Sequence, residues 1–257
     1  MTHPPGTAGN PEAPNPQLPV VQRLRVQYTK RGRLRFISHR DFGRAFERAV
    51  RRSGVPIAFS SGYSPHPRIS YAGAAPTGAA SEAEYLEVAL TQVCDPDDLR
   101  GRLDDSLPPD LDLVRVVPAE PGTGSLADLL EASVWEMVLP GVDLSHAREA
   151  ADRFLAETSV EVERMGKKGM RTFDARAATV SLSSASRDVD GVSCAILTLV
   201  VRHGVPSVRP DDVLAGLRSV GRLELPVTPR VNRLAQGPLD AGTGTVGDPF
   251  ASGRDAS

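Results

Sequence analysis

The same order of helix and strand signals occurs twice along this 257-residue chain, which restricts the possible folds more than any other feature. In the first half, an alternating strand pattern at residues 24–28 comes first, and a later helix begins at Pro96-Asp97-Asp98. In the second half, a strand pattern at residues 134–139 comes first, and a later helix begins at Pro210-Asp211-Asp212. A proline followed by carboxylates is typical of a helix N-terminus, so the two halves indicate a repeated supersecondary unit.

Each half follows the order strand, helix, strands, helix, strand, which is typical of the split βαβ arrangement. The sequence therefore predicts an α+β protein of two tandem ferredoxin-like (βαββαβ) domains, at residues 21–120 and 133–236, with a linker at 121–132. Residues 1–20 contain six prolines, and residues 237–257 are rich in glycine and other small residues. Both ends have the composition of disordered tails.

Hydrophobic periodicity and turn residues place the individual elements. Helices are predicted between Ser38 and Gly54, from Asp95 to about Leu107, at residues 145–157, and from Pro210 onward. The predicted strands or extended segments are residues 24–28, 34–37, 57–60, 68–72, 84–90, 111–117, 134–139, 160–164, 175–182, 194–201 and 222–227.

The first predicted helix has an arginine-rich face. Ser38 is a candidate N-cap, with Asp41 at capping-box spacing, and Gly54 is a candidate stop signal. Apolar residues at helical spacing form the face predicted to be buried, namely Phe42, Ala45, Phe46, Ala49 and Val50. Arginines at the same spacing form the face predicted to be exposed, namely Arg40, Arg44, Arg48 and Arg51.

Positive charge is concentrated in one part of the chain. Residues 23–71 contain twelve lysines or arginines but only Asp41 and Glu47 as acidic residues, whereas the whole chain has a formal net charge of -2. Such segregation indicates a surface that meets a polyanion or an acidic partner protein. The alternative is a solvated helix face without a partner.

The loop that follows this helix, Gly62-Tyr63-Ser64-Pro65-His66-Pro67-Arg68, combines several groups suited to an unpaired nucleotide. Tyr63 offers a stacking face and Arg68 a planar cation. The prolines on either side of His66 favour an extended, solvent-facing chain. The alternative is an ordinary hairpin in which Tyr63 packs on the core.

Two histidines are the candidate acid–base groups. His39 lies at the start of the basic helix, where free backbone N–H groups also favour a phosphate, and His66 lies in the proline loop. No aspartate or glutamate stands at a spacing that identifies a catalytic dyad with either one. No catalytic residue is therefore assigned, and His39 and His66 remain the candidates if the protein is an enzyme.

Several classes of site and location are disfavoured. Cys94 and Cys194 lie far apart, and neither has a second cysteine or a histidine at ligand-like spacing, so we expect no bound metal, cluster or other cofactor. The small residues at 72–78 have no lysine after the glycine and do not form a phosphate-binding P-loop. No apolar run is long enough for a membrane span, and residues 1–19 lack the features of a secretion signal. We expect a cytoplasmic protein with no membrane contact.

The second half contains one concentrated basic patch, formed by Lys167, Lys168 and Arg171. It lies between two predicted strands, as at the tip of a hairpin. If the two halves face each other, this loop extends the arginine face of the first half. The alternative is a solvated hairpin tip.

The run RFISHRDFGRAFERAVRRSGVPIAFSSGYSPHPRISYAGAAPTGAASEAEYLEV, residues 35–88, resembles the radical-SAM-linked proteins, an uncharacterised family. Members of that family occur beside, or fused to the C-terminus of, B12-binding-type radical SAM proteins. Arg40 stands where leucine is more frequent in the family, and Ser64 where asparagine is common. The resemblance implies a separately encoded partner enzyme that carries the iron–sulfur cluster and the radical chemistry.

The sequence leads to one preferred function and two alternatives. The preferred function is an accessory protein that binds RNA, such as tRNA or rRNA, and presents it to the radical SAM enzyme. The alternatives are a metal-independent ribonuclease, by analogy of architecture with CRISPR RNA-processing proteins, and a module that docks only onto the partner protein. The predicted RNA- or partner-binding residues are Arg35, Ser38, His39, Arg40, Arg44, Arg48, Arg51, Tyr63, Ser64, His66, Arg68, Lys167, Lys168 and Arg171.

Overall fold

The structure is a computed structural model that describes residues 18–166 and 169–251. The described residues form two compact units, one from the segments before residue 78 and at 84–126, the other from 78–83 and the segments after residue 126. The described part contains five α-helices and a mostly antiparallel set of strands, which confirms the α+β class. The boundary after Leu126 falls within the linker placed at 121–132, whereas residues 78–83, placed in the first domain, belong to the second unit.

The described part of the first unit contains four strands and two α-helices. Strand β1 pairs antiparallel with β4, and β2 pairs antiparallel with β3, in the order β4-β1-β3-β2. Of β3, only residues 84–90 belong to this unit. Its elements are β1 (Gln22–Lys30), a 3-10 helix (Gly32–Phe36), α1 (His39–Ser53), β2 (Ile69–Ala72), β3 (Ala80–Leu90), α2 (Pro96–Asp104) and β4 (Leu113–Pro118).

The second unit has four principal strands in the order β10-β5-β9-β8, and residues 80–81 pair with β10 in parallel. Strands β6 and β7 form a separate antiparallel hairpin. The elements of the second unit are β5 (Ala132–Leu139), α3 (Leu144–Ala156), β6 (Glu161–Gly166), β7 (Gly169–Asp174), α4 (Ala175–Ala178), β8 (Thr179–Val189), β9 (Val192–Arg202), α5 (Pro210–Ser219) and β10 (Arg230–Gly237).

Helix α1 begins and ends where the sequence predicts. The Ser38 hydroxyl accepts a hydrogen bond from the Asp41 backbone N–H at 3.2 Å, which satisfies one of the free donors of the first turn. Gly54 ends the helix with a φ of 63°, a left-handed conformation that glycine adopts without steric cost. The buried residues are Phe42, Phe46, Ala49 and Val50, as their helical spacing predicts.

Local hydrogen bonding overrides two of the predicted extended segments. The sequence predicts an extended segment at residues 34–37, but the Leu34 N–H donates to the Arg31 carbonyl and the Ile37 N–H to the Leu34 carbonyl. Residues 34–36 therefore belong to a 3-10 helix, and only Ile37 is extended. Residues 175–182 were expected to form one strand. Their first four residues instead form α4, because the Asp174 carboxylate caps the N–H groups of Arg176 and Ala177.

Two further predicted strands are wrong. Residues 57–60 make only isolated bridges. Residues 222–227 alternate in polarity, but Arg222 has a φ of 55° and Pro226 lacks a backbone donor, so no strand forms there. The final strand is β10, which was not predicted.

Part of the predicted C-terminal tail has regular hydrogen bonding. Gly237 is the last residue of β10, and Leu239 bridges to Val246. Between these two residues, the Asp240 carboxylate accepts from the N–H groups of Gly242 and Thr243. Residues 237–251 of the range placed in the tail are described; the rest lies outside the described residues.

A serine–histidine pair lies inside the second unit. The Ser133 hydroxyl is 2.5 Å from His203 Nε2, and His203 Nδ1 is 2.6 Å from the Leu130 carbonyl oxygen. Since a carbonyl only accepts, Nδ1 carries the proton and Nε2 accepts from the hydroxyl. Burial lowers the pKa of His203, the Leu130 hydrogen bond opposes this, and the Arg233 charge adds to the lowering. The folded protein therefore holds His203 neutral.

The neutral His203 predicts a stability that depends on pH. The unfolded chain takes up a proton below about pH 6.5, the ordinary histidine value, whereas the folded protein resists protonation there. The contribution of His203 is therefore present above that pH and is lost as the pH falls below it. Urea denaturation between pH 5 and 8 should show this slope, and His203→Gln should reduce it. The exposed His146 provides the control variant His146→Gln. An unchanged slope in His203→Gln contradicts the assignment.

Candidate nucleic-acid interface

Helix α1 presents a row of arginines to solvent. Arg40, Arg44, Arg48 and Arg51 are all exposed, because the opposite face of the helix is buried by its apolar residues. The row extends roughly 16 Å along the helix axis, given a rise of about 1.5 Å per residue. Arg44 lies 3.9 Å from the Asp41 carboxylate, and such an exposed pair contributes little to the free energy of unfolding. We call these four residues the arginine row.

The start of α1 borders a small cleft. Ser38 is engaged there, since its hydroxyl donates to the Asp41 carboxylate at 2.7 Å as well as accepting from the Asp41 N–H. His39 is exposed, and its ring meets Tyr71 edge-on with 4.9 Å between the ring centres. The cleft is lined by Tyr28, Lys30, Ile37, Ser38, His39, Phe42, Ala74, Ala75 and Glu84.

Two buried charged residues of the cleft were not foreseen. The Lys30 ammonium donates to the carbonyls of Ala75 and Pro76 at 3.2 and 3.4 Å, and the Glu84 carboxylate accepts from the Ala75 N–H at 3.2 Å. Both side chains are buried and both hold the segment at 75–76. Strand alternation was the available signal, because Lys30 continues the buried positions at 24, 26 and 28.

Tyr71 fixes the surroundings of His39. Its ring also packs edge-on against Phe42, at 5.7 Å, so one tyrosine contacts two residues of α1. Its hydroxyl is buried and has no hydrogen-bond partner among the described residues. Burial raises the pKa of this phenol, and the nearby Glu47 charge raises it further. Tyr71 therefore stays protonated and keeps a donor beside the first turn of α1.

The proline loop presents its tyrosine to solvent. Tyr63 is 91% exposed, so the alternative in which it packs on the core is wrong. The loop is closed at its base, where the Ser60 N–H donates to the His66 carbonyl at 2.9 Å and the His66 N–H donates to the Ser60 hydroxyl at 3.0 Å. Ser64 and His66 are exposed, and Arg68 is half-buried.

The structure groups some of the predicted residues and separates others. The arginine row shares α1 with His39, and Ser38 is the N-cap of the same helix. The proline loop is instead tied to β3 through the segment around Ala58, whose N–H donates to the Ala89 carbonyl. Among the described residues, no hydrogen bond or ring contact joins His39 to His66. Arg35 is half-buried on the 3-10 helix, with its guanidinium 4.7 Å from the centre of the Phe36 ring.

Of the basic patch of the second unit, the structure describes only Arg171. Arg171 is exposed on β7, whereas Lys167 and Lys168 lie outside the described residues. The neighbouring Arg164 is not available in the same way, because it pairs with the buried Asp212 and donates to the Ser207 carbonyl at 2.9 Å. Arg171 is therefore the described cation of this patch that faces solvent.

The described residues show no metal site, no accessible nucleophile–base pair and no membrane-spanning helix. They contain no group of three or more histidines, cysteines, aspartates or glutamates that is placed to hold a metal ion. The Ser133–His203 pair has the geometry of a nucleophile and base, but Ser133 is completely buried, so no substrate reaches it. None of the described helices has the length and apolar composition needed to cross a membrane.

Comparisons with known proteins give a family but no activity. No curated protein matches the chain. Among solved structures, the chain is similar to one described as "Crystal Structure of an Unknown Protein from Galdieria sulphuraria", with 14% identity, coverage of 82% of this chain and 98% of that one, and a TM-score of 0.23. Residues 23–210 match the family described as "Uncharacterized protein conserved in bacteria (DUF2344)". This match spans most of the chain, and the protein belongs to that family.

Proposed function

We propose that this protein is an RNA-binding accessory protein, which presents RNA such as tRNA or rRNA to a separately encoded radical SAM enzyme. The observation that supports RNA binding most directly is the arginine row, a line of exposed cations on one rigid helix. Arginine binds phosphate through a planar, bidentate fork, and a row at helical spacing follows a phosphate backbone. The proposed location is the cytoplasm.

Within α1, we place the phosphate contacts on the C-terminal part of the arginine row. Free N–H groups at a helix start ordinarily attract phosphate. Here, the Asp41 carboxylate already lies at that end, bound by the Ser38 hydroxyl, and it repels a second anion. Arg48 and Arg51 lie further along the helix, and Arg44 forms only a long, exposed pair with this carboxylate, so these three arginines are the better phosphate ligands.

The proline loop supplies a second element of the proposal. Tyr63 exposes its ring almost completely, and an exposed aromatic ring on a closed loop is a platform for an unpaired base. Stacking of this kind contributes about 1–3 kcal/mol per base and tolerates any sequence. Arg68 and His66 lie close to it in sequence and provide further donors for the sugar–phosphate backbone.

We also propose that the chain contains two tandem ferredoxin-like domains. The order of elements in the first unit is β-α-β-β-α-β, which is the ferredoxin-like order. The second unit has the same order if β6, β7 and α4 are an insertion between α3 and β8. This order of elements supports two tandem ferredoxin-like domains, in which two helices pack on one face of a sheet in each unit.

The radical SAM partner rests on the family resemblance. The chain has two cysteines, whereas the cluster of a radical SAM enzyme needs three in a short run. An accessory role fits this number of cysteines, because the partner would supply the cluster and this chain would supply the RNA-binding surface. We propose no cofactor for this chain itself.

Charge reversal in the arginine row tests RNA binding. In Arg44→Glu/Arg48→Glu, we expect affinity for labelled tRNA to fall steeply, because two phosphate contacts become repulsions. Each phosphate contact releases about 0.7 to 0.9 counterion from the RNA when it forms. Loss of two contacts should therefore reduce the magnitude of the slope of log affinity against log salt by about 1.4 to 1.8. Fluorescence anisotropy at several KCl concentrations measures both quantities.

The matched control for charge reversal is Arg202→Glu/Arg218→Glu, which changes the net charge equally at two exposed arginines of the second unit. Equal losses in both double variants would indicate a general charge effect and contradict a specific site. If tRNA affinity is unchanged in Arg44→Glu/Arg48→Glu, but co-purification with the radical SAM enzyme after nuclease treatment is lost, the row docks onto protein instead.

A ribonuclease assay tests the non-catalytic assignment. His39 packs against Tyr71 rather than against a carboxylate, and His66 lies in a separate loop, so we expect no proton transfer between them. Purified protein with labelled RNA and EDTA should therefore give no cleavage. Cleavage that disappears in His39→Ala or in His66→Ala, but persists in His146→Ala, would show that the protein is an enzyme.

A further inference from the structure

One cavity of the second unit lies between one face of α3 and the segment at residues 221–226. It encloses about 550 Å³, a size typical of small-molecule sites. The segment alternates in polarity but forms no strand, and Arg222 and Glu224 are exposed where Leu223 is buried. The alternation therefore places two charged side chains along one wall of the cavity. We call this cavity the slot.

Two close contacts limit the length of the slot. At one end, a Cβ at Gly221 would lie 2.9 Å from the Ala150 Cα, so only glycine lets the chain approach α3 this closely. At the other end, a Cβ at Gly141 would lie 3.1 Å from Pro226 Cγ. Along α3, Ala150 lies about 10 Å from Asp143, given a rise of about 1.5 Å per residue. A slot of this length suits a whole small molecule and not a polymer that continues at both ends.

The end of the slot near Gly221 is positive. Arg153, Arg222 and Glu149 line it, and two guanidiniums with one carboxylate give a net charge of +1. Arg153 is already held, because it donates to the Glu149 carboxylate at 3.3 Å and to the Gly221 carbonyl at 3.4 Å. Arg222 has no hydrogen bond or ion pair among the described residues, so its guanidinium is available to a ligand. Its φ of 55° favours glycine, so backbone geometry does not explain an arginine at this position.

The end of the slot near Gly141 is negative. The Asp143 carboxylate caps no N–H group of α3, and its closest cationic partner is His146, whose Nδ1 lies 3.6 Å away. Glu224, two residues before Pro226, has no hydrogen bond or ion pair among the described residues. With His146 neutral, these two carboxylates give a charge of -2, of which the positive start of α3 offsets about half a charge. The slot therefore has a positive end and a more strongly negative end.

We propose that the slot binds a basic amino acid, of the lysine or arginine class, a function that does not depend on RNA binding. The α-carboxylate of the ligand would pair with the Arg222 guanidinium, a bidentate partner for carboxylates. The side-chain cation would lie between Asp143 and Glu224, and the methylene stem would pack on Leu225 and Pro226, which line the slot. A ligand with only an anionic group meets the carboxylates, and a diamine meets Arg222, so both should bind more weakly.

Isothermal titration calorimetry with the full chain tests the class of ligand. L-Lysine and L-arginine should each show saturable binding. L-Norleucine lacks the side-chain ammonium of lysine, and cadaverine lacks its carboxylate. Each should bind at least about tenfold more weakly than L-lysine, because it loses one charge-assisted contact. If neither L-lysine nor L-arginine binds at up to about 10 mM, or if norleucine or cadaverine binds as tightly as L-lysine, the proposal is wrong.

Variants at the two ends of the slot should give opposite ligand preferences. Arg222→Gln should weaken L-lysine binding at least about tenfold but should not weaken cadaverine binding, because cadaverine has no carboxylate. Asp143→Asn/Glu224→Gln should weaken L-lysine binding by a similar factor but leave norleucine binding unchanged. This crossed pattern separates loss of a contact from loss of folding, since an unfolded variant binds none of the ligands. Full L-lysine affinity in either variant overturns the proposal.

Two further variants serve as controls. Arg222→Lys keeps the positive charge and should retain saturable L-lysine binding, whereas complete loss in this variant contradicts a role for the charge. Arg202→Gln neutralises an exposed arginine at the end of β9, outside the slot, and should leave L-lysine affinity unchanged. Equal losses in Arg202→Gln and Arg222→Gln would indicate a general charge effect and overturn the site.

Discussion

The aromatic packing under α1 determines where the first unit presents its charge. The rings of Tyr28 and Phe42 stack almost parallel, with 4.6 Å between their centres, and Tyr71 meets Phe42 edge-on. Burying an aromatic side chain of this kind stabilises the folded state by about 1.5–3 kcal/mol. Rotation of α1 about its own axis would expose Phe42, so the orientation of the helix is well determined. The arginine row faces solvent as a consequence, because it occupies the side of the helix away from these rings.

Features set by neighbouring residues could be predicted from the sequence. The limits of α1 follow from Ser38 and Gly54, and the start of α2 follows from Asp95, whose carboxylate accepts from two backbone N–H groups at 3.0 Å. Each signal acts within a few residues and needs no knowledge of the rest of the fold. The exposed arginine row was predictable for the same reason, since it is the complement of the apolar face.

Features set by distant residues were missed. Alternation at 222–227 resembles a strand, but a strand needs a partner with free backbone groups, and β5 pairs with β10 instead. Lys30 is one of the twelve cations counted in residues 23–71, but it is buried, and its ammonium binds carbonyls some 45 residues further along. Strand alternation indicates that Lys30 is buried, but no local pattern shows which loop supplies the carbonyls that it binds.

Part of the charge excess of residues 23–71 consists of cations that bind other groups of the first unit and stabilise its fold. Several of its cations are held by partners within the first unit: Arg23 by Glu87, Arg25 by the carbonyls at 123 and 124, Lys30 by those at 75 and 76, Arg31 by Asp112, and Arg52 by the Ser106 carbonyl. A cation whose side chain is already held by other groups of the protein neutralises few phosphates, so it displaces few counterions from RNA. The salt dependence of RNA binding should therefore reflect the arginine row and not the total charge of the segment.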